Sequence, residues 1–193
     1  MAEIMVYHHA QGLTLGVAAF ADTLRGAGHT VHVPDLYDGR TFATLDEGMA
    51  YLREVGFQSI LDAGVTATED LPVDLVYIGF SLGVVPAQQL AQTRPGARGA
   101  VLCYSCLPIS EFGGGSWPAG TPVQIHGMGS DPYFADEGDL DAARELVAST
   151  DNADLFVYPG SEHLFADSSL ASYDSAAAAL MTDRILAFLR GLS

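Results

Sequence analysis

The pentapeptide Gly79-Phe80-Ser81-Leu82-Gly83 sets a serine between two glycines. An apolar run rich in β-branched residues, Val73 to Ile78, leads into it, and a helix-compatible run, Val84 to Arg94, leads out. A G-x-S-x-G between a strand and a helix is the pattern of a nucleophile elbow, a turn so sharp that side chains at the two glycines would meet neighbouring backbone. The turn lifts the hydroxyl above the sheet, and the positive end of the following helix points toward it. With 21 glycines in the chain, the bare pentapeptide carries little weight. The strand and helix around it carry the argument.

A serine hydroxyl attacks poorly at neutral pH unless a base takes its proton. All eight basic residues are arginine and lysine is absent, which excludes a Ser-Lys dyad, a Schiff-base lysine and a phosphate-loop lysine. The base must then be histidine or a carboxylate. His163 lies in Tyr158-Pro159-Gly160-Ser161-Glu162-His163-Leu164-Phe165, after the last strand-like run. Its ordinary pKa of about 6.5 suits it to take the serine proton and return it to a leaving group. Asp131 lies in His126-Gly127-Met128-Gly129-Ser130-Asp131-Pro132-Tyr133, after an earlier run. A carboxylate there can accept from the second ring nitrogen and hold the tautomer. The order Ser, Asp, His is that of the α/β-hydrolase triad. An oxyanion would need two donors. The Leu82 backbone N–H is one, and the backbone of Gln11 or Ala10, in the loop His8 to Gly12, is the candidate for the other. Phe80, the loop around Trp117, Tyr133 and Phe134 are expected to shape the substrate pocket.

Each residue also has a plainer role open to it. A single loop histidine is usually a surface residue, an aspartate before proline is a common turn device, and Asp136 and Asp167 compete for the acid. His8, His9 and His126 also fall at strand ends and raise a metal site. His8 and His9 are adjacent on a strand, however, so their side chains point to opposite faces, and no metal is expected. Cys103 and Cys106 form a single C-x-x-C with no partner pair for zinc, and Leu107-Pro108 disfavours the helix that a redox pair would open. They read as two small buried residues at a strand end.

The elements that must position these groups alternate along the chain. Strands are predicted at Ile4–His8, Thr30–Val33, Val73–Ile78, Ala100–Tyr104, Pro122–His126 and Asp154–Tyr158. Helices are predicted at Val17–Ala27, Leu45–Val55, Phe57–Ala67, Val84–Arg94, Leu140–Ala148 and Ser175–Leu189. Such alternation implies βαβ units, a mostly parallel central sheet and helices on both faces. The ligand site then belongs beyond the carboxyl ends of the strands. No repeat or linker divides the 193 residues, so residues 1–193 read as one α/β domain. The segment Ser110 to Gly120 is loose; a loop over the site and a surface loop anchored by Trp117 are both open.

The net charge of −16 disfavours nucleic acid and anionic membranes as partners. No run nears the roughly 18 apolar residues of a membrane span, and the amino terminus lacks a basic leader, so the cytoplasm is the expected location.

These residues together resemble the dienelactone hydrolase family of α/β-hydrolases over nearly the whole chain. The matching pieces are Val33-Pro34-Asp35-Leu36-Tyr37, the elbow, Asp131-Pro132-Tyr133, and Pro159-Gly160-Ser161-Glu162-His163-Leu164-Phe165. The resemblance implies a minimal α/β-hydrolase fold with Ser81, Asp131 and His163 as nucleophile, acid and base. The family's founding enzymes carry cysteine where Ser81 stands, and a glutamate near the position of His9 and Ala10. Their substrate-gripping arginines have no clear match here. The expectation is a serine hydrolase of small esters or lactones that needs no cofactor. The alternative is a non-catalytic binding protein of the same fold. A homodimer is left open.

Overall fold

The computed structural model describes residues 1–192. Six strands are found among them: β1 (Glu3–Tyr7), β2 (Thr30–His32), β3 (Leu75–Phe80), β4 (Gly99–Cys103), β5 (Val123–Met128) and β6 (Ala153–Tyr158). They form one sheet in the order β2-β1-β3-β4-β5-β6. Every ladder is parallel, so the sheet expected to be mostly parallel is wholly so. The α-helices are α1 (Leu15–Gly26), α2 (Leu45–Val55), α3 (Phe57–Thr66), α4 (Val84–Thr93), α5 (Asp139–Ser149) and α6 (Ser175–Gly191). Predicted and observed ends agree to within two residues. The largest shift is at β3. Val73 is exposed, while Gly79 and Phe80 pair with Tyr7 and Cys103 of the neighbouring strands, so this strand runs right up to Ser81.

Local chemistry sets the helix ends. Thr44 and Glu47 form a capping box at the start of α2. Asp174 caps α6 by accepting from the Ala176 and Ala177 N–H groups. Gly56, at φ +88°, separates α2 from α3, a conformation that disfavours any residue with a side chain.

The core lies on both faces of the sheet. On one face Val17, Phe20 and Leu24 of α1 and Met181, Ile185 and Leu189 of α6 pack against Ile4, Val76, Ile78 and Val101. On the other, residues of α2, α3, α4 and α5 pack against Met5, Tyr77, Leu102 and Ile125. Side chains alternate along each strand, so consecutive residues of β1 and β3 feed the two cores in turn. The first crossover moves outward from β1 to β2, and the next returns to β3 on the other side of β1. This reversal makes the carboxyl ends of β1 and β3 the switch point, where neighbouring loops diverge and leave a crevice.

Among the described residues, no helix is long and apolar enough to cross a membrane.

Candidate active site

Ser81 leaves the end of β3 and opens a 3₁₀ turn, Ser81–Gly83, that runs into α4. Its φ is +50°, a left-handed conformation costing a non-glycine residue about 1–3 kcal/mol. The flanking glycines are required by space. A Cβ on Gly79 would lie 2.4 Å from the Gly83 carbonyl oxygen, and one on Gly83 would lie 2.4 Å from the Tyr7 carbonyl oxygen. Both obstacles are backbone and cannot rotate away. The elbow is thereby pressed against the end of β1.

His163 reaches Ser81 from the loop after β6, and Asp131 reaches His163 from the turn after β5. The Ser81 Oγ and His163 Nε2 are 2.9 Å apart. His163 Nδ1 donates to Asp131 Oδ2 at 2.6 Å. Asp131 is fully buried, and its Oδ1 accepts from the Tyr133 backbone N–H at 3.0 Å. The two loops are tied by Gly129 N–H donating to the Tyr158 carbonyl and Ser130 N–H to the Gly160 carbonyl. Rings of Tyr104 and Tyr133 flank the imidazole at 5.7 and 4.8 Å. With Nδ1–H held by a carboxylate, Nε2 is left as an acceptor facing the hydroxyl. This arrangement can withdraw the serine proton as the oxygen attacks.

The loop after β1 separates the two oxyanion candidates. The Gln11 N–H is spent on His9 Nδ1 at 3.2 Å. The Ala10 N–H has no acceptor among the described residues, although Ala10 is buried. The loop is pinned by a buried network that the sequence does not announce. His9 Nε2–H donates to Asp167 at 2.8 Å, and Thr14 and Ser169 donate to the same carboxylate. Burial works to raise the Asp167 carboxyl, but these hydrogen bonds outweigh it and hold its pKa at about 2. Asp167, a competitor for the acid, thus serves His9 instead. Asp136, the other competitor, is exposed.

Two openings meet at His163 and Tyr133. A cleft of about 300 Å³ runs from Ser81 and Leu82 between α2, α3 and the start of α4, past Met49, Phe57 and Val85. Its other end holds Ser105, Glu137 and Asp139. Ser105 Oγ–H and the Cys106 N–H both donate to Asp139, whose pKa burial nonetheless raises. A second opening, about 410 Å³, includes His163, Glu162 and Leu170 but not Ser81. The contribution of α2 and α3 to this cleft was not anticipated. Their apolar periodicity looks the same whether a residue faces core or cleft.

Two expected pocket residues lie elsewhere. Phe80 precedes Ser81 on the strand and points to the α1 face, where it packs on Phe20 and Tyr104 and lines a void of about 10 Å³. Trp117 is buried with its indole N–H on the Thr121 carbonyl, just before β5 begins. That is the opposite end of the sheet from Ser81. The surrounding loop does not cover the site: Gln92 of α4 holds it by donating to the Ile109, Phe112 and Ser116 carbonyls. Tyr133 does line the cleft, and Phe134 is buried beneath it.

The three histidines of the metal alternative point to separate partners. His8 lies against Leu36 and Tyr37, His9 against Asp167, and His126 between Gln124 and Tyr158. Burial lowers the His8 pKa to about 4 and that of His126 to about 3. Cys103 and Cys106 are free thiols that join the two different core layers.

A wholly parallel six-stranded sheet, with helices on both faces and an elbow at its switch point, defines a minimal α/β-hydrolase fold. The chain belongs to the dienelactone hydrolase family, whose model matches residues 2–193. Similar solved structures include the dienelactone hydrolase-like promiscuous phosphotriesterase P91 from metagenomic libraries. It is 21% identical, with a TM-score of 0.74 over 100% of this chain and 87% of that one. Esterase PE8 is 16% identical, with a TM-score of 0.70 over 100% and 93%. A monoacylglycerol lipase from Paleococcus ferrophilus is 15% identical, with a TM-score of 0.70 over 99% and 95%. These likenesses are of fold. No curated protein matches the chain.

Proposed function

We propose that this hydrolase cleaves small carboxylic esters or lactones through an acyl-enzyme on Ser81. His163 takes the Ser81 proton as Oγ attacks the carbonyl carbon. The Leu82 and Ala10 backbone N–H groups receive the oxyanion of the tetrahedral intermediate. Collapse breaks the ester C–O bond, and His163 passes its proton to the departing alkoxide. Water, deprotonated by His163, then attacks the acyl-enzyme and releases the acid and Ser81. Asp131 keeps Nδ1 protonated and faces the imidazolium in both halves. No cofactor takes part in these steps.

The observation that carries the reading is the unbroken path from Ser81 Oγ to His163 at 2.9 Å and on to buried Asp131 at 2.6 Å. A binding protein of this fold would not need a strained serine in contact with a base, so the same distances speak against that alternative. An esterase and a lipase among the structural relatives support the bond class. The test is turnover of p-nitrophenyl butyrate by wild type and Ser81→Ala. The variant should retain its melting temperature and lose at least a thousandfold in kcat, keeping only what the oxyanion donors and binding provide. Turnover near that of wild type would sink the proposal.

A further inference from the structure

The cleft that opens from Ser81 has a one-sided chemistry. One wall is apolar. Met49 and Phe57, two of the exposed large apolar side chains of the protein, both stand in it, with Val85 and Leu82 behind them. A side chain of this size left open to water is informative when it sits beside a reactive group. The ionisable groups are just as uneven. Glu137 and Asp139 line this cleft, and Glu162 lines the adjoining one. Apart from His163, no basic side chain lines either, and the chain has no lysine to send. Several arginines are held elsewhere: Arg25 on Asp22, Arg94 on Leu71 and Tyr77, Arg144 on Asp141, and Arg184 over Phe156.

We propose that the site takes neutral esters with an apolar acyl chain of up to about eight carbons and turns away acyl groups that carry a carboxylate. This rests on the reading of Ser81 as the acylated residue. The acyl carbon must be bonded to Ser81 Oγ, so its chain lies in the cleft that Ser81 lines. The leaving alcohol takes its proton from His163 and departs through the second opening, which His163 lines and Ser81 does not. At roughly 30 Å³ per water-sized group, 300 Å³ holds on the order of ten non-hydrogen atoms. A carboxylate at the chain's end would have no cation to meet and would face two acids. An apolar end would cover Met49 and Phe57.

The experiment compares three p-nitrophenyl esters, each corrected for its own uncatalysed hydrolysis: acetate, 6-methylheptanoate, and the hemiadipate, which puts a carboxylate in place of the terminal isopropyl group. Each fully buried methylene is worth roughly fourfold. The 6-methylheptanoate should therefore exceed the acetate at least tenfold in kcat/KM, and Met49→Ser should narrow that gap. It should exceed the hemiadipate at least tenfold at 0.15 M salt. That preference should shrink in 1 M salt and in Glu137→Gln. Hemiadipate cleaved as fast as the 6-methylheptanoate, or no gain over acetate, overturns the assignment. Absence of any Ser81-dependent turnover overturns the underlying reading instead.

Discussion

Replacing Asp131 by asparagine should cost about 10⁴-fold in kcat, and the hydrogen bonds explain why. Asp131 accepts from two donors, the Tyr133 backbone N–H on Oδ1 and His163 Nδ1–H on Oδ2. An asparagine has one acceptor for these two positions. The backbone donor cannot change, so the amide oxygen goes to Tyr133 and the amide N–H₂ faces the imidazole. Nδ1 must then accept, and the ring proton moves to Nε2, where it points at Ser81 and blocks proton withdrawal. Restoring the working tautomer would leave a buried donor unmatched, costing about 1–3 kcal/mol. The imidazolium formed during attack would also lose a facing negative charge, worth on the order of 4 kcal/mol at an effective dielectric of about 20. The sum is about 5 kcal/mol or more, near four decades in rate. The assay is steady-state hydrolysis of p-nitrophenyl butyrate, with circular dichroism to check folding. The loss should fall on kcat with KM little changed, because Asp131 is buried behind His163. A folded variant with kcat within tenfold of wild type would refute the reasoning.

Gly83→Ala should lower the denaturation midpoint by the equivalent of several kcal/mol, because its methyl would meet the Tyr7 and His8 carbonyls at 2.4 and 2.7 Å. An unchanged midpoint in urea would contradict the close contact. Stability should also fall on acidification. His8 and His126 resist protonation in the fold, at about 4 and about 3, but titrate near 6.5 when unfolded. Below pH 6.5 the unfolded chain therefore binds protons that the folded chain refuses, and stability is lost progressively from there through about pH 4 for His8 and about pH 3 for His126, about 3 kcal/mol of it from His8. A urea midpoint that stays flat between pH 7 and pH 4 would contradict this. Cys103 and Cys106 should resist a thiol reagent in the native state and both react after unfolding, because burial pushes both thiols up, Cys106 to about 12. Rapid native labelling, or a disulfide between them, would overturn that expectation.

Readability in the sequence followed the range of the physics. The strands and helices follow from local periodicity, and Leu45–Val55 matches to the residue: Gly56 marks its end in the sequence, and the structure shows a Thr44–Glu47 capping box at its start. Ser81, Asp131 and His163 each follow a strand, and the structure brings them together because a parallel sheet gathers all such ends on one side. The same logic failed at Phe80. It is next to Ser81 in sequence, but strand alternation sends its ring to the opposite face. Trp117 was misplaced because nothing local tells which end of the sheet a crossover loop touches. The His9–Asp167 bond joins residues 158 positions apart, and only the assembled fold pairs them. Which of the Ala10 and Gln11 N–H groups is left free depends on one hydrogen bond inside a five-residue loop.

In the proposed mechanism Ser81 is a nucleophile activated by His163. Its most direct test is labelling of the folded protein with a fluorophosphonate probe, mapped by peptide mass spectrometry. A single phosphonyl group should appear on Ser81, and labelling should be lost in Ser81→Ala and slowed at least a hundredfold in His163→Ala. Folded wild-type protein that takes up no label, or takes it up on another residue, would contradict the account.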